Sequence, residues 1–301
     1  MNTYNDIYLQ TRRRLRAAGI TAHDLEAGLI VSHAAGKTRE ELLSSSRFFV
    51  TDAAIPNAVE EMVKRRLSGE PVAYIVGEWE FYGLPLIVNE SVLIPRIDTE
   101  LLAEVAIGLM KRRVAQSRLL DLCTGSGCVG LAIAANVPDC RVVLADKSEK
   151  ALAICRANML RNRLSRSVTA IEVDVLEIPP ALLGMFDAIV SNPPYIPTRD
   201  LINLDSSVRD YEPVLALDGG PDGLYYIRAI ATNWSAVLKL GGHLAIECGA
   251  GQAEATREIL EDSGFGSIKT HYDTLGIERV VVGMLKRLTL GSDPGPQGLR
   301  E

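Results

Sequence analysis

Leu119-Leu120-Asp121-Leu122-Cys123-Thr124-Gly125-Ser126-Gly127-Cys128-Val129-Gly130 reads as a buried strand, a glycine turn and the opening of a helix. A short apolar strand without polar alternation is covered on both faces, as in a parallel sheet. Glycines at the bend let a ligand come close to the backbone. The same rhythm continues on either side. Strands are expected at 119–122, 142–146, 168–173, 186–191 and 243–248, with final strands near 266–272 and 278–284. Helices are expected at 128–135, 149–161, 224–238 and 253–261. Strands and helices in alternation predict an α/β fold whose sheet binds ligands beyond the carboxyl ends of its strands.

Upstream the period is different. Residues 1 to about 75 read as short helices, with capping boxes at Thr21-x-x-Asp24 and Thr38-x-x-Glu41. Leu25, Leu29 and Ser32 share a face of the second helix, and Val59, Met62, Val63 and Leu67 form a stripe on a later one. This predicts a small helical bundle with no acid, base or nucleophile cluster, suited to recognition rather than chemistry. Glu78 to Val88, aromatic and β-branched around Tyr82-Gly83, predicts a hairpin that joins the bundle to the sheet. The tail from Gly291 is expected to be disordered.

Composition bounds the function. The 301 residues are 47% hydrophobic and 23% charged, enough for about two domains with ample core. No apolar run reaches about 18 residues, and Met1-Asn2-Thr3-Tyr4 opens no signal pattern, so a cytoplasmic protein without membrane contact is expected. Five cysteines without a C-x-x-C pair suit reduced thiols. The four histidines are scattered, and no metal site is expected. Net charge is −6. Up to Glu70 there are ten basic and nine acidic residues, which leaves −7 to the rest and argues against a polyanion-binding catalytic half. The basic cluster Arg12, Arg13, Arg14 and Arg16 reads as the solvated face of a helix whose other side carries Tyr4, Ile7, Tyr8 and Leu15.

Gly125-x-Gly127-x-x-Gly130 is also the dinucleotide fingerprint. A pyrophosphate seeks the positive N-terminus of a helix, whereas the carboxylate of Asp121 beside the turn opposes an anion and attracts an ammonium. S-adenosylmethionine carries an ammonium and a sulfonium but no phosphate, so it suits this turn better. Asp146, 19 positions after Gly127, can accept from two ribose hydroxyls, and Asp174 at the end of the third strand can accept from an adenine amino group.

Asn192-Pro193-Pro194-Tyr195 follows the strand 186–191 directly. Proline fixes φ near about −65° and removes a donor, and it pushes the preceding residue towards extended geometry. The corner is stiff, its carbonyls remain acceptors, the Asn192 amide both donates and accepts, and the Tyr195 ring can cover a flat group. If the Asn192 side-chain oxygen and the Pro193 carbonyl accept the two hydrogens of a carboxamide, its nitrogen lone pair is left to face a methyl donor. The corner therefore points to methylation of a planar NH2 group.

With these residues the chain resembles the bacterial peptide chain release factor glutamine N(5)-methyltransferases over nearly its whole length. The resemblance includes Pro71-Val72-Ala73-Tyr74-Ile75, Glu80-Phe81-Tyr82-Gly83-Leu84, and Val92-Leu93-Ile94-Pro95-Arg96 with Asp98-Thr99-Glu100. It extends through Asp121 to Gly127 and Asn192 to Tyr195 to Tyr211-Glu212-Pro213, Gly219 to Leu224, and Glu247-x-Gly249-x-x-Gln252. It implies a helical substrate-recognition domain at 1–75, a hairpin linker at 76–90, a class I (Rossmann-like) methyltransferase domain at 91–288, and a tail at 289–301. The implied cofactor is S-adenosyl-L-methionine, held by Asp121, Cys123, Thr124, Gly125, Ser126, Gly127, Asp146, Asp174, Val175 and Asn192. Asn192, Pro193, Pro194 and Tyr195 are implied to hold the glutamine of the Gly-Gly-Gln motif of class-1 release factors, with Asn192, Pro193 and Tyr195 catalytic. No direct nucleic acid is required. Cys123 stands where many members have glycine, Ile97 where proline is frequent, and Val175 where some carry an aromatic ring.

Other readings stay open on the residues alone. The corner fits an adenine or cytosine amino group as well as a glutamine, including one in a ribosomal protein. The glycine fingerprint fits a nucleotide-linked oxidoreductase, and a non-catalytic binding module could retain the fold.

Overall fold

The computed structural model describes residues 2–112 and 116–287. The tail expected to be disordered, 289–301, lies outside the described residues. The chain divides into two units, one of Met1–Trp79, Ile87–Glu90 and Leu204–Glu212, the other of Glu80–Leu86, Ser91–Asn203 and Pro213–Glu301.

The first unit is helical: α1 (Tyr4–Ala17), α2 (His23–Ala34), α3 (Arg39–Ser44), α4 (Ala54–Leu67) and α5 (Val72–Val76). α1 starts from a capping box that sequence reading passed over: Thr3 Oγ1 accepts from the Asp6 N–H, and the Asp6 carboxylate accepts from the Thr3 N–H at 2.8 Å. The box at Thr38 and Glu41 forms as expected. The one expected at Thr21 does not. α2 starts after Ala22 with no side-chain cap, because the Asp24 carboxylate is engaged by Arg12 instead. Glu26, Ala27, Gly28, Ile30, Val31 and Ser32 are buried on α2; of the expected stripe Ser32 is buried and Leu29 half-buried against the core, while Leu25 is 42% exposed. α2 packs against α1, α3, α4 and α5, and neighbours on several sides blur a single apolar stripe. On α4, Val59, Met62 and Val63 are buried and Leu67 is exposed. Arg12 and Arg14 pair with Asp24 and Glu60, and Arg13 and Arg16 face outward.

β1 (Glu78–Phe81) and β2 (Leu84–Ile87) form a hairpin. Its turn residues Tyr82 and Gly83 both have positive φ, the hand that matches the twist of a two-residue hairpin. In the second unit follow α6 (Glu100–Lys111), β3 (Ser117–Leu122), α7 (Cys128–Asn136), β4 (Cys140–Asp146), α8 (Glu149–Arg161), β5 (Val168–Glu172) and β6 (Phe186–Ser191). A short α9 (Ser206–Arg209) lies in the first unit. α10 (Tyr225–Asn233), β7 (Leu238–Glu247), α11 (Ala253–Asp262), β8 (Phe265–Tyr272) and β9 (Glu278–Leu285) complete the second.

The seven strands lie in the order β5-β4-β3-β6-β7-β9-β8, parallel from β5 to β7 and antiparallel at β9 and β8. Successive residues feed opposite faces: Leu119, Val142 and Leu144 enter one core, and Leu120, Val143 and Ala145 the other. Strand order reverses between β3 and β6, which makes their carboxyl ends a switch point where a crevice opens.

One expected boundary moves. The helix read as 224–238 ends at Asn233, a 3-10 turn spans Trp234–Val237, and Leu238 begins a strand expected only at His243. Leu238 pairs with Phe186 of β6, and this ladder, with both residues fully buried, captures the apolar end of the helical pattern.

Gly130 on α7 sits against β3 and β4. A Cβ there would meet Leu144 Cδ2 at 2.1 Å and Asp121 Oδ2 at 3.0 Å. Overpacking costs about 1–3 kcal/mol, more than the roughly 0.5–1 kcal/mol that alanine gains over glycine inside a helix. Gly130→Ala is therefore expected to lower the thermal midpoint, by about 2–4 °C per net kcal/mol lost; a midpoint at or above that of the parent would show that this contact is not tight.

Candidate active site

Leu122 of β3 pairs with Ser191 of β6, and Ser191 Oγ donates to the Leu122 carbonyl at 2.8 Å. The chain leaves both strands on the same edge, so the glycine turn and the Asn-Pro-Pro corner emerge side by side. Between them opens a cleft of about 720 Å³, counting its open mouth.

From the turn, Cys123 and Gly125 line the cleft. Cys123, Gly125 and Gly127 have φ of 57°, 54° and 85°, a left-handed path that costs a side chain about 1–2 kcal/mol. Thr124, Ser126 and Gly127 are buried behind the wall. Asn158 of α8, fully buried, donates to the Ser126 carbonyl at 3.0 Å and holds the turn from beneath.

Asp121 is also behind the wall, 1% exposed. Its Oδ2 accepts from Thr124 Oγ1 at 2.6 Å and from the Gly130 N–H at 3.0 Å. Instead of facing a ligand from the strand end, Asp121 closes the turn and satisfies one of the free N–H groups that open α7. That donor is no longer available to a pyrophosphate, which weakens the dinucleotide reading. Burial pushes the Asp121 carboxyl up to about 7, against the two hydrogen bonds.

Asp146 lines the cleft at the end of β4. Its two oxygens accept from the Gly125 and Ser148 N–H groups at 2.8 and 2.9 Å, and each keeps a lone pair for a hydroxyl. Burial raises its pKa, partly offset by these donors. Asp174 stands two residues past β5 rather than at its end, accepts from the Leu176 N–H and pairs with Lys147 at 2.7 Å. Burial raises its pKa, but the Lys147 and Leu176 donors outweigh this and the net shift is downward. Val175 lines the cleft, its backbone anchored by the buried Trp234, whose Nε1 donates to the Val175 carbonyl at 2.9 Å.

Asn192 and Pro194 form the opposite wall. Pro193 is buried and Tyr195 half-buried, and neither lines this cleft. Two loops, 217–224 and 248–252, press on the corner. A Cβ at Gly219 would meet Tyr195 Cα at 2.7 Å, one at Gly223 the Tyr195 carbonyl at 2.3 Å, and one at Gly249 the Tyr195 ring at 3.2 Å. Gln252 donates to the same Tyr195 carbonyl at 2.9 Å. Desolvation raises the Tyr195 phenol well above its usual range, so it stays neutral. Sequence reading gave no role to Thr99 and Glu247, yet Asn192 Nδ2 donates to Thr99 Oγ1 at 3.1 Å, and Thr99 Oγ1 to Glu247 Oε1 at 3.2 Å. Their only signal was membership of two resembling motifs.

Two outcomes follow from the turn. Because a β-branched residue resists positive φ more strongly than the cysteine already held there, Cys123→Val is expected to lose stability in urea unfolding, by about 1 kcal/mol. Cys123→Gly, which relieves strain and adds a similar entropic cost, is expected to stay within about 0.5 kcal/mol of the parent. For Asp121, unfolded chains release the proton near the ordinary carboxyl value of 3.8 and the folded chain near 7, so the folded state holds more protons between these values and stability falls as pH rises across that window. Asp121→Asn lacks this titrating proton, and its stability relative to the parent is expected to improve from pH 5 to pH 8; an unchanged or opposite trend would refute the effect of burial.

Comparison with known proteins agrees with this geometry. Residues 6–77 match the family described as PrmC N-terminal domain, and residues 97–204 the methyltransferase small domain. The chain is 39% identical to the release factor glutamine methyltransferase of Geobacter sulfurreducens, over 91% of this chain and 94% of that protein. It is 36% identical to that of Thermodesulfovibrio yellowstonii, over 85% and 91%. A methyltransferase structure from Pyrococcus furiosus superposes with a TM-score of 0.50 at 17% identity, over 76% of this chain and all of that one, a likeness of fold. Taken with a helical unit, a seven-stranded methyltransferase sheet and an asparagine-proline corner beside its glycine turn, these similarities place the chain in the release factor glutamine methyltransferase family.

Proposed function

We propose that the protein transfers a methyl group from S-adenosyl-L-methionine to the side-chain nitrogen of the glutamine in the Gly-Gly-Gln motif of class-1 peptide chain release factors. The observation that carries this is the shared cleft: Asn192 and Pro194 on one wall, Gly125, Asp146 and Val175 on the other.

The residues present fit that cofactor. Gly125 offers backbone without a side chain, and a Cβ built there meets nothing within 4 Å. Asp146 has lone pairs for a ribose diol, Val175 and Tyr226 give apolar surface for a base, and Asp174 is an acceptor for an amino group. The acidic character of this wall suits a cation. When bound, S-adenosylmethionine supplies an electrophilic methyl group on a sulfonium.

The chain's own residues do the rest. A carboxamide nitrogen is a poor nucleophile because its lone pair is delocalised into the carbonyl. Asn192 Oδ1 accepts one amide hydrogen and the Pro193 carbonyl, whose peptide bond leads into Pro194 on the cleft wall although the Pro193 ring is buried behind it, accepts the other, which raises electron density on nitrogen and fixes the direction of the lone pair. No strong base is needed, since the alkylated nitrogen sheds a proton readily. Alignment at about 3–3.5 Å contributes most of the acceleration, of the order of 7–11 kcal/mol in favourable cases. The acceptor oxygens also stabilise the positive charge that appears on nitrogen. The helical unit, with exposed Arg13 and Arg16, supplies a recognition surface for the release factor.

Purified protein with labelled S-adenosylmethionine is expected to label a release factor and not a version whose Gly-Gly-Gln glutamine is changed; equal labelling of both would redirect the substrate assignment. Asn192→Ala is expected to cut turnover by at least about 100-fold, the scale of losing one oriented acceptor, with cofactor affinity changed much less. Near-normal methyl transfer by that variant would falsify the role of the corner.

A further inference from the structure

Asn192 can serve as an acceptor only if its amide points the right way, because the same side chain turned by 180° presents NH2 to the substrate's own NH2. Nothing in the asparagine itself decides between the two. The structure places a buried chain of hydrogen bonds behind it: Asn192 Nδ2 to Thr99 Oγ1 at 3.1 Å, and Thr99 Oγ1 to Glu247 Oε1 at 3.2 Å. Thr99 is 2% exposed and Glu247 1% exposed, and Glu247 Oε2 is buried with no hydrogen-bond partner.

We propose that Glu247, acting through Thr99, is a positioning residue that locks the Asn192 amide with its oxygen towards the substrate carboxamide. This rests on the reading of the corner given above and deepens it. An ionised carboxylate only accepts, so the single hydroxyl proton of Thr99 goes to Glu247. Thr99 Oγ1 is then an acceptor towards Asn192, which must turn its NH2 inward and its Oδ1 outward. If Glu247 is protonated, it can donate to Thr99, Thr99 can donate to Asn192 Oδ1, and the whole chain of bonds reverses. The substrate's amide hydrogens would then meet a donor.

Besides Thr99, the Asn192 amide itself lies close enough to favour the ionised form of Glu247, and the charged and titratable groups around the acid are Arg279, Asp98, Tyr195, Cys128 and Cys248. The Tyr195 phenol and both thiols are pushed up by burial and stay neutral. Arg279 favours the ionised acid and Asp98 opposes it, while Arg279 is itself shared with Asp98 at 3.2 Å and Asp273 at 3.1 Å. Burial is the largest influence and raises Glu247 to about 7. Ionisation near that value turns the lock on, so turnover should rise with pH through about 7.

The test begins with parent protein already shown to methylate release factor, so that failure of the substrate assignment is seen first and separately. Glu247→Gln and Thr99→Val are each expected to lower kcat at least tenfold at pH 8, with S-adenosylmethionine affinity and the thermal midpoint close to the parent. Thr99→Ser is expected to restore turnover. The rise with pH should vanish in Glu247→Gln, and combining Glu247→Gln with Thr99→Val should add little to either alone, because they break one chain. Independently of activity, the Asn192 side-chain NH2 is expected to be protected from hydrogen exchange in the parent at pH 8 and exposed in Thr99→Val, read by NMR. The proposal is overturned if kcat of both variants stays within twofold of the parent, if the pH profile is unchanged, or if turnover, cofactor affinity and thermal midpoint fall together, the mark of a merely structural role.

Discussion

The site depends on the parallel pairing of β3 with β6. Leu122 opposite Ser191, tied by the Ser191 hydroxyl to the Leu122 carbonyl, sets the height at which each strand ends. Because the strands point the same way, the turn after one and the corner after the other must share an edge. Because strand order reverses there, no crossover covers that edge. A one-residue slip would send Asn192 to the other face of the sheet. Such a slip would also carry the buried Asp187 away from the Arg118 N–H and Lys239 and into an apolar core, which makes it unfavourable.

Rigidity on the two walls has different origins. The glycine turn is held by polar contacts made from within: Asp121 to Thr124 and Gly130, Asp146 to Gly125, Asn158 to Ser126. The corner is held by prolines and by close steric approach, since at Gly219 and Gly223 any side chain would collide with the Tyr195 backbone, and at Gly249 one would crowd Gln252 and the Tyr195 ring. Gln252 adds a bond to the same peptide. In the proposed reaction the wall that polar groups define would meet a flexible cofactor, and the wall that sterics define a small planar substrate group. This division suits a reaction governed by alignment more than by acid or base strength.

Two buried acids, Asp121 and Glu247, stand near the carboxyl ends of β3 and β7, and burial brings both to about 7. Leaving a carboxyl in the interior is costly unless hydrogen bonds compensate. Here each acid organises an element that it does not belong to: Asp121 the start of α7, Glu247 the Thr99 hydroxyl and through it Asn192. Such groups are candidates for selection by function rather than by stability.

Local pattern carried much of this. Every strand of the large sheet and most helices were legible from apolar runs and from the change of period near residue 76, because burial on two faces imprints on a strand's own residues. The glycine turn, Asp146 and Asn192 were legible because a turn of that chemistry has few uses. The helix end at Asn233 and the buried face of α2 were not, since a neighbouring strand and four neighbouring helices decide them. Nor was it legible that Asp121 turns inward, that Tyr195 packs against Gly249, or that Thr99 joins Asn192 to Glu247 across separations of 93 and 148 residues. The amino-acid order alone determined which elements form and which chemistry they carry. Only the tertiary structure decided which way each polar group faces, because a hydrogen-bond partner brought from far along the chain leaves no periodic trace in either segment.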